Sequence, residues 1–476
     1  MRLFLAIALL ALSMPVNAYA QDGAWRDFMP PMRRGATLVH DTTRDRYVMF
    51  GGMDKERRND VWELPADSTT WRKLSPVGRL PVQRTGASAV YDELHDRMWM
   101  YGGSTGSALT GSLWAMDSGP EEWLEVTALS PPGTRGYAAL VRDPGRDRLI
   151  LYGGLVSTVS HAASPEVWIF SPYADSAMWV RLVPGGVAPP ARWDAIVVYD
   201  QPRDRLVVLG GRNYTKVFND AWQLKFSPLP QWSQITIVGD RPPARDGAIG
   251  VLDLANDRIV TFGGADPETG APNHDVWSFR LIGFTSWTRE AQQGDVPNEL
   301  REACATLDAA RGRIVVHGGG RPKELDASYA SNETRALDVH GVPSWGRIVP
   351  AGDTPLPRYG AGAAIDLAHD AFWMFGGLTS VDGGSTGSDE LWQGSLSAPG
   401  TWRRIAFDGP APAPRHEPSL VYDHRTNRAL LFGGWDGKDR YFGDAWAAQL
   451  DSPAVWRPVA TSGGPKPRRG QATAWD

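Results

Sequence analysis

Apolar residues fall in short runs of four or five along this chain, with no stretch keeping the three- and four-residue spacing of an amphipathic helix. The second such module is representative: Arg84-Thr-Gly-Ala-Ser-Ala-Val-Tyr-Asp92, then Asp96-Arg97, then Met98-Trp-Met-Tyr-Gly-Gly103. It predicts a strand, a tight turn and a second strand. The closing Gly-Gly doublet recurs eight times, beginning at Gly51, Gly102, Gly153, Gly210, Gly263, Gly318, Gly376 and Gly433. Each lies ten residues after an Asp, namely Asp41, Asp92, Asp143, Asp200, Asp253, Asp308, Asp366 and Asp423.

A Trp follows ten to sixteen residues after the second Gly, at Trp62, Trp114, Trp168, Trp222, Trp277, Trp392 and Trp446, with Arg335 in its place in the sixth module. It marks a third strand. Another Trp comes nine to eleven residues later in all eight modules, at Trp71, Trp123, Trp179, Trp232, Trp287, Trp345, Trp402 and Trp456, and marks a fourth. Units of 51 to 58 residues made of four short antiparallel strands, A to D from the axis outward, describe propeller blades that bury their faces against neighbours. Fifteen of the 21 Trp residues hold these two positions, so their expected role is packing between blades.

This pattern resembles the kelch repeat, whose hallmark is Gly-Gly ending the second strand followed by spaced aromatics. The resemblance covers about residues 25–476 and implies an all-β propeller of eight blades, with seven or nine as alternative closures. Residues 21–476 then form one domain of eight full repeats plus a partial repeat at 465–476. Trp25 is placed to start an extra D strand, so overlapping ends fastening the ring are one expectation.

Residues 1–20 carry Arg2, an apolar run from Leu3 to Leu12 and Ala18-Tyr19-Ala20, the features of a secretory signal peptide too short to span a bilayer. Export to the periplasm or beyond is expected. Cys304 is the single cysteine, which excludes an internal disulfide and suits a buried structural thiol. A net charge of −5 with no charge run offers no basic field for nucleic acid.

The A-B and C-D connections keep nearly fixed lengths, whereas the opposite face, with the D-A and B-C connections, varies. Variable loops on a rigid scaffold are where binding chemistry concentrates. Every module starts strand A on that face with an Arg: Arg33, Arg84, Arg135, Arg192, Arg245, Arg301, Arg358 and Arg415. An acid stands two residues before the C-strand Trp position in seven modules, at Asp60, Glu166, Asp220, Asp275, Glu333, Glu390 and Asp444, about 10 Å away across two strand spacings. Arg-carboxylate pairs are therefore expected, leaving Arg84, opposite Ser112, with charge to spare for a ligand.

The residue after each Arg varies freely: Arg34, Thr85, Gly136, Trp193, Asp246, Glu302, Tyr359 and His416. Among these, Trp193, Asp246, Glu302, Tyr359 and His416, joined by Arg84, Arg212 and Trp435, are the candidate binding residues. Aromatic platforms beside hydrogen-bonding groups suit a protein or glycan ligand, taken up by a monomeric propeller.

Galactose oxidase-like copper enzymes share the kelch propeller, but their His and Tyr ligand motifs are missing, and no nucleophile, zinc or nucleotide motif occurs. No catalytic residue, metal or cofactor is assigned. Kelch-type sialic acid mutarotases are also exported propellers. That resemblance implies general acid-base chemistry in the central mouth, with Glu302 or Asp246 and Arg84 as candidates.

Overall fold

The computed structural model describes residues 30–469 apart from internal gaps, the longest at 321–332. The expected signal peptide, the strand expected at Trp25 and most of the partial repeat lie outside the described residues.

The repeats build eight four-stranded antiparallel blades. In blade two the inner strand A, Ser88–Asp92, pairs with B, Arg97–Tyr101, which pairs with C, Leu113–Asp117, and then with D, Glu122–Val126. The connection arriving from blade one adds a short parallel strand, Val77–Gly78, outside D. Blades four, six and eight carry the same outer addition.

The A-B turns of blades one, three, four, five and six share one electrostatic rule. The buried Asp ending strand A accepts from the Arg five residues on, as Arg46 Nε to Asp41 at 2.9 Å, Arg148 to Asp143 at 2.8 Å and Arg205 to Asp200 at 2.8 Å. The turn residue before that Arg takes positive φ at Asp45, Asp96, Asp147, Asp204 and Asp257, a conformation Asp tolerates. Its carboxylate then receives an Arg from the preceding blade: Arg44 to Asp96 at 2.6 Å, Arg146 to Asp204 at 2.6 Å, and Arg203 to Asp257.

Indoles join the same neighbours. Trp123, Trp179, Trp232, Trp345 and Trp456 each pack on the residue preceding the previous blade's doublet, here Phe50, Tyr101, Tyr152, Phe262 and Phe375, with centroids 5.2 to 5.6 Å apart. The expected interblade role of the D-strand Trp holds at these positions, while the ring contacts of Trp287 and Trp402 are with Phe279 and Phe372 of their own blades.

Closure follows from these same contacts. Trp71 of blade one packs on His317 of blade six, centroids 5.1 Å apart, and donates to Thr334 Oγ1 at 2.7 Å. Arg311 of blade six pairs with Asp45 of blade one, and Tyr47 Oη donates to Asp308 at 2.5 Å. The inner strand of blade one, Thr37–Asp41, packs beside those of blades two and six, the latter Cys304–Asp308. Blades one to six thus form a closed ring without a shared sheet, while the inner strands of blades seven and eight, Gly362–Asp366 and Ser419–Asp423, pack on each other. The expected circle of eight mouth residues is thereby divided. Cys304 lies inside the closing core, where burial pushes its thiol up to about 12.

The junction between blades two and three departs from the rule. His95 replaces the turn Arg, and Arg142, standing where blade two has Tyr91, supplies the cation, 3.1 Å from Asp92 and paired with Asp147. Arg142→Tyr alone is expected to cost about 3 kcal/mol, because Asp92 stays buried without its partner. Adding His95→Arg rebuilds the arrangement of the neighbouring junctions and should recover most of that loss, read as the midpoint of urea unfolding.

Candidate functional site

The Arg at the start of strand A lies over the doublet in every ring blade but the sixth. Its Nη1 donates to the first Gly carbonyl, as Arg33 to Gly51 O at 2.9 Å, and it pairs with the C-strand acid, as Arg33 to Asp60 at 2.9 Å, Arg192 to Asp220 at 2.6 Å and Arg245 to Asp275 at 2.7 Å. The same carboxylates accept the indole N–H of Trp62, Trp222 and Trp277. The guanidinium beside each acid holds Asp60, Asp220 and Asp275 below the usual carboxylate range, against the opposing effect of burial. These Arg residues stitch the strands of their own blade together and present no charge to the mouth.

Arg84 is the exception foreseen, but it is enclosed. It is 1% exposed and donates to the carbonyls of Gly102 and Val82 and to Ser112 Oγ. Burial without a carboxylate pulls its pKa down to about 10. Its cation therefore does not reach a ligand from this position.

Blade six corrects the sequence register by one residue. Gly264 N–H donates to Leu300 O, as Gly52 N–H does to Arg84 O, so Leu300 and not Arg301 holds the structural position. Arg335 compensates: its guanidinium takes the place of the missing indole and ring Arg, bonding Glu333 at 2.6 Å. Arg301 moves to the variable position, bridged to Gly320, and Glu302 moves one step closer to the axis.

That innermost step is occupied by Gly35, Gly86, Tyr137, Asp194, Gly247 and Glu302, all with φ between 53° and 69°. A backbone circle runs through them. Gly86 N–H donates to Gly35 O, Tyr137 to Gly86 O, Asp194 to Tyr137 O, Glu302 to Gly247 O and Gly35 to Glu302 O, at 2.8 to 3.1 Å. Between blades four and five the link runs instead from Gly247 N–H to the Asp194 side chain, at 3.1 Å. Gly suits this left-handed geometry, whereas Tyr137, Asp194 and Glu302 hold it at a cost of roughly 1 kcal/mol each. A Cβ on Gly86 would lie 2.7 Å from the Tyr137 ring, so the small residue makes room for the large one.

Together these residues line a well of about 150 Å³ on the axis, bounded by Ala36, Ala87, Ala138, Ala195 and Ala303. On the side of the A-B turns the channel widens to about 820 Å³ between Leu38, Tyr91, Val251 and Leu307. Burial, with the nearby Glu302 and Asp246 carboxylates, pushes Asp194 up to about 8. That direction favours its protonated, hydrogen-bond-donating form at neutral pH. Burial and the same Glu302 raise the Tyr137 hydroxyl above the ordinary phenol range.

Around the lip, Asp246 is held by Arg212 at 2.7 Å and Arg301 at 2.6 Å, which spends its charge within the protein. Arg212 also lies over the Trp193 ring, 5.6 Å from its centroid. Arg34 approaches Glu302 at 4.0 Å. Of the sequence candidates, Trp193, Arg212, Asp246 and Glu302 thus share one mouth. Tyr359, His416 and Trp435 belong to blades seven and eight, where His416 packs on Trp435 and Arg469 covers the same indole. Tyr137 and Asp194 were missed. Their signal was a departure from Gly one position nearer the axis, concealed in blade six by the register slip.

Among the described residues, Asp92, His95 and Asp147 place three possible metal ligands together. The Arg142 guanidinium already neutralises both carboxylates there.

A family model described as the KLHDC2/KLHL20/DRC7 Kelch-repeats domain matches residues 20–173 and 145–377. The chain belongs to the kelch-repeat propeller family. It is 26% identical over 330 residues to the flagellar outer arm dynein alpha chain of Chlamydomonas reinhardtii, covering 65% of this chain and 7% of that one. It is 25% identical over 366 residues to acyl-CoA-binding domain-containing protein 4 of Arabidopsis thaliana, covering 73% and 51%. The chain thus spans from a small fraction to about half of these relatives. The solved structure of YjhT aligns with a TM-score of 0.52 and 12% identity over 67% of this chain and 98% of its own, a likeness of fold.

Proposed function

We propose that this protein is an exported scaffold that captures a protein or glycan ligand through the D-A/B-C face of its six-blade ring. The kelch propeller supports a protein-binding scaffold in general, and no helix among the described residues is long and apolar enough to cross a membrane. One observation carries the reading. Six equivalent positions round the mouth hold five different residue types, Arg34, Thr85, Gly136, Trp193, Asp246 and Arg301, while the neighbouring scaffold positions repeat. The A-B turns, by contrast, are committed to ion pairs between blades. Export rests on the apolar leader at residues 1–20.

Trp193→Ala combined with Arg212→Ala is expected to abolish ligand capture in a screen of glycans and periplasmic proteins, with the melting temperature lowered by no more than a few degrees. Undiminished capture rejects this face. A second reading, general acid-base catalysis on a reducing sugar, is favoured by Asp194 and Glu302, two carboxyl groups at one well, the first pushed up to about 8. It predicts accelerated mutarotation by polarimetry that is lost in Glu302→Gln.

A further inference from the structure

Three contacts recur between neighbouring ring blades on the variable face, and among the described residues the seam between blades four and five lacks all of them. The first is a backbone link from the second doublet Gly to the residue at the ring Arg position of the next blade. Gly52 donates to Arg84 O, Gly103 to Arg135 O, Gly154 to Arg192 O, Gly264 to Leu300 O and Gly319 to Arg33 O, at 2.9 to 3.4 Å, whereas Gly211 makes no such bond to Arg245 O. The spacing agrees. A Cβ on Gly51, Gly102, Gly153 or Gly263 would lie 2.2 to 2.9 Å from a carbonyl of the next blade, but on Gly210 it would meet only Phe218 O of its own blade, at 3.2 Å.

The second contact is the axial backbone circle, which at this seam runs through the Asp194 side chain instead of its carbonyl. The third is an aromatic ring ahead of the doublet that receives the next blade's indole. Blade four has Leu209 there, and the ring contact of Trp287 is with Phe279 of its own blade, 4.8 Å away. The Trp287 Nε1 is buried without a hydrogen-bond partner. A void of about 30 Å³ remains, lined by Leu209, Phe218, Pro243, Ala248 and Trp287 and by Asp194, which also lines the axial well. The opposite face stays fastened. Arg203 pairs with Asp257, Arg205 donates to Leu281 O at 2.7 Å, and Val198, Val207, Ile259 and Phe279 share one apolar cluster. A seam bonded at one edge and unbonded at the other has the construction of a hinge.

We infer that blades four and five part on the variable face, turning about their A-B ends, so that the axial well opens sideways when Asp194 ionises. Local opening starts where a structure is least bonded, and here the missing links run in one line from the doublet to the axis. The groups around Asp194 are Glu302, Asp246, Arg301, the Tyr137 hydroxyl and the Gly247 N–H. A charge on its carboxyl is buried near two carboxylates, and water entering the seam relieves that cost. The closed seam, where burial and those neighbours push Asp194 up to about 8, holds the proton more tightly than the hydrated one does. Rising pH therefore favours the parted state.

The test is hydrogen exchange of the full chain, resolved to single amides by mass spectrometry with electron-transfer fragmentation and expressed as protection factors, which removes the intrinsic pH dependence. The Gly247 amide is compared with Gly86 and Tyr137, its counterparts at the first two seams. At pH 7 it is expected to be at least tenfold less protected than either, and from pH 7 to pH 9 the difference should widen about tenfold further in wild type and stay level in Asp194→Asn. Leu209→Phe supplies the ring present at the other seams and should raise Gly247 protection at both pH values. Equal protection of the three amides, the same pH response in wild type and Asp194→Asn, or no gain in Leu209→Phe overturns the inference. So does an equal loss at all three amides by pH 9, because that reports unfolding of the whole ring and not parting of one seam.

Discussion

Arg192→Met is expected to lower stability by about 3 to 5 kcal/mol, the cost of breaking a buried pair by removing one partner. The Arg192 side chain is fully enclosed, bonds Gly210 O at 2.7 Å and Asp220 at 2.6 and 3.0 Å, and lies 4.2 Å over Phe218. Its loss leaves Asp220 ionised in a site built to neutralise it. Arg84→Met provides the contrast. Arg84 has no carboxylate to strand, and an apolar side chain of similar volume in place of a buried charge is often tolerated, so a change within about 1 kcal/mol is expected. Urea unfolding of the two variants side by side measures the difference. Equal losses would show that packing over the doublet, and not charge pairing, gives these Arg residues their weight.

Asp194→Asn should alter how stability depends on pH. A carboxyl with an unfolded pKa near 3.9 and a folded value of about 8 makes the native state bind the additional proton between those limits. Stability from this group is full below about pH 4, falls as pH rises, and reaches its minimum above about pH 8. At roughly 1.4 kcal/mol per unit, the loss approaches 5 kcal/mol where water does not reach the carboxyl, and about half that where the well is wet. Asparagine keeps an acceptor for Gly247 N–H and does not ionise, so the variant should match wild type near pH 4 and exceed it by about 2 to 4 kcal/mol at pH 9. Thermal unfolding across that range measures it, and parallel curves for the two proteins would contradict a protonated Asp194.

Local repetition made most of the scaffold legible. A doublet ten residues after an Asp predicts strands of fixed length, because B must end where its side chains would meet the next blade's backbone: a Cβ on Gly102 would lie 2.2 Å from Arg135 O. The Arg-to-acid spacing likewise predicted Arg33 on Asp60 and Arg415 on Asp444. The motif Asp41-Thr-Thr-Arg44-Asp45-Arg46, repeated with variation, was also present to be read. Its meaning was not, since Arg44 reaches Asp96 in another blade.

The candidate site was legible only in part. Trp193, Asp246 and Glu302 were found by their variability and Arg212 by its place just past a doublet, but Arg301 was assigned the place of Leu300 because an Arg was expected there. Tyr359 and His416 carry the same sequence signal as Trp193 and stand in a different pair of blades.

The sequence by itself determined the blade: strand order, turn charges, the indoles between neighbours and the Arg over each doublet. These rest on interactions within one repeat or with the next, so the same spacing yields them each time. Tertiary structure decided how many blades close and what meets on the axis. Trp71 takes the flank of His317 through contacts between residues 246 positions apart, and that closure brings Tyr137, Asp194 and Glu302 around one well. No local pattern specifies such a meeting, because each of these residues satisfies its own repeat equally well in a ring of any size.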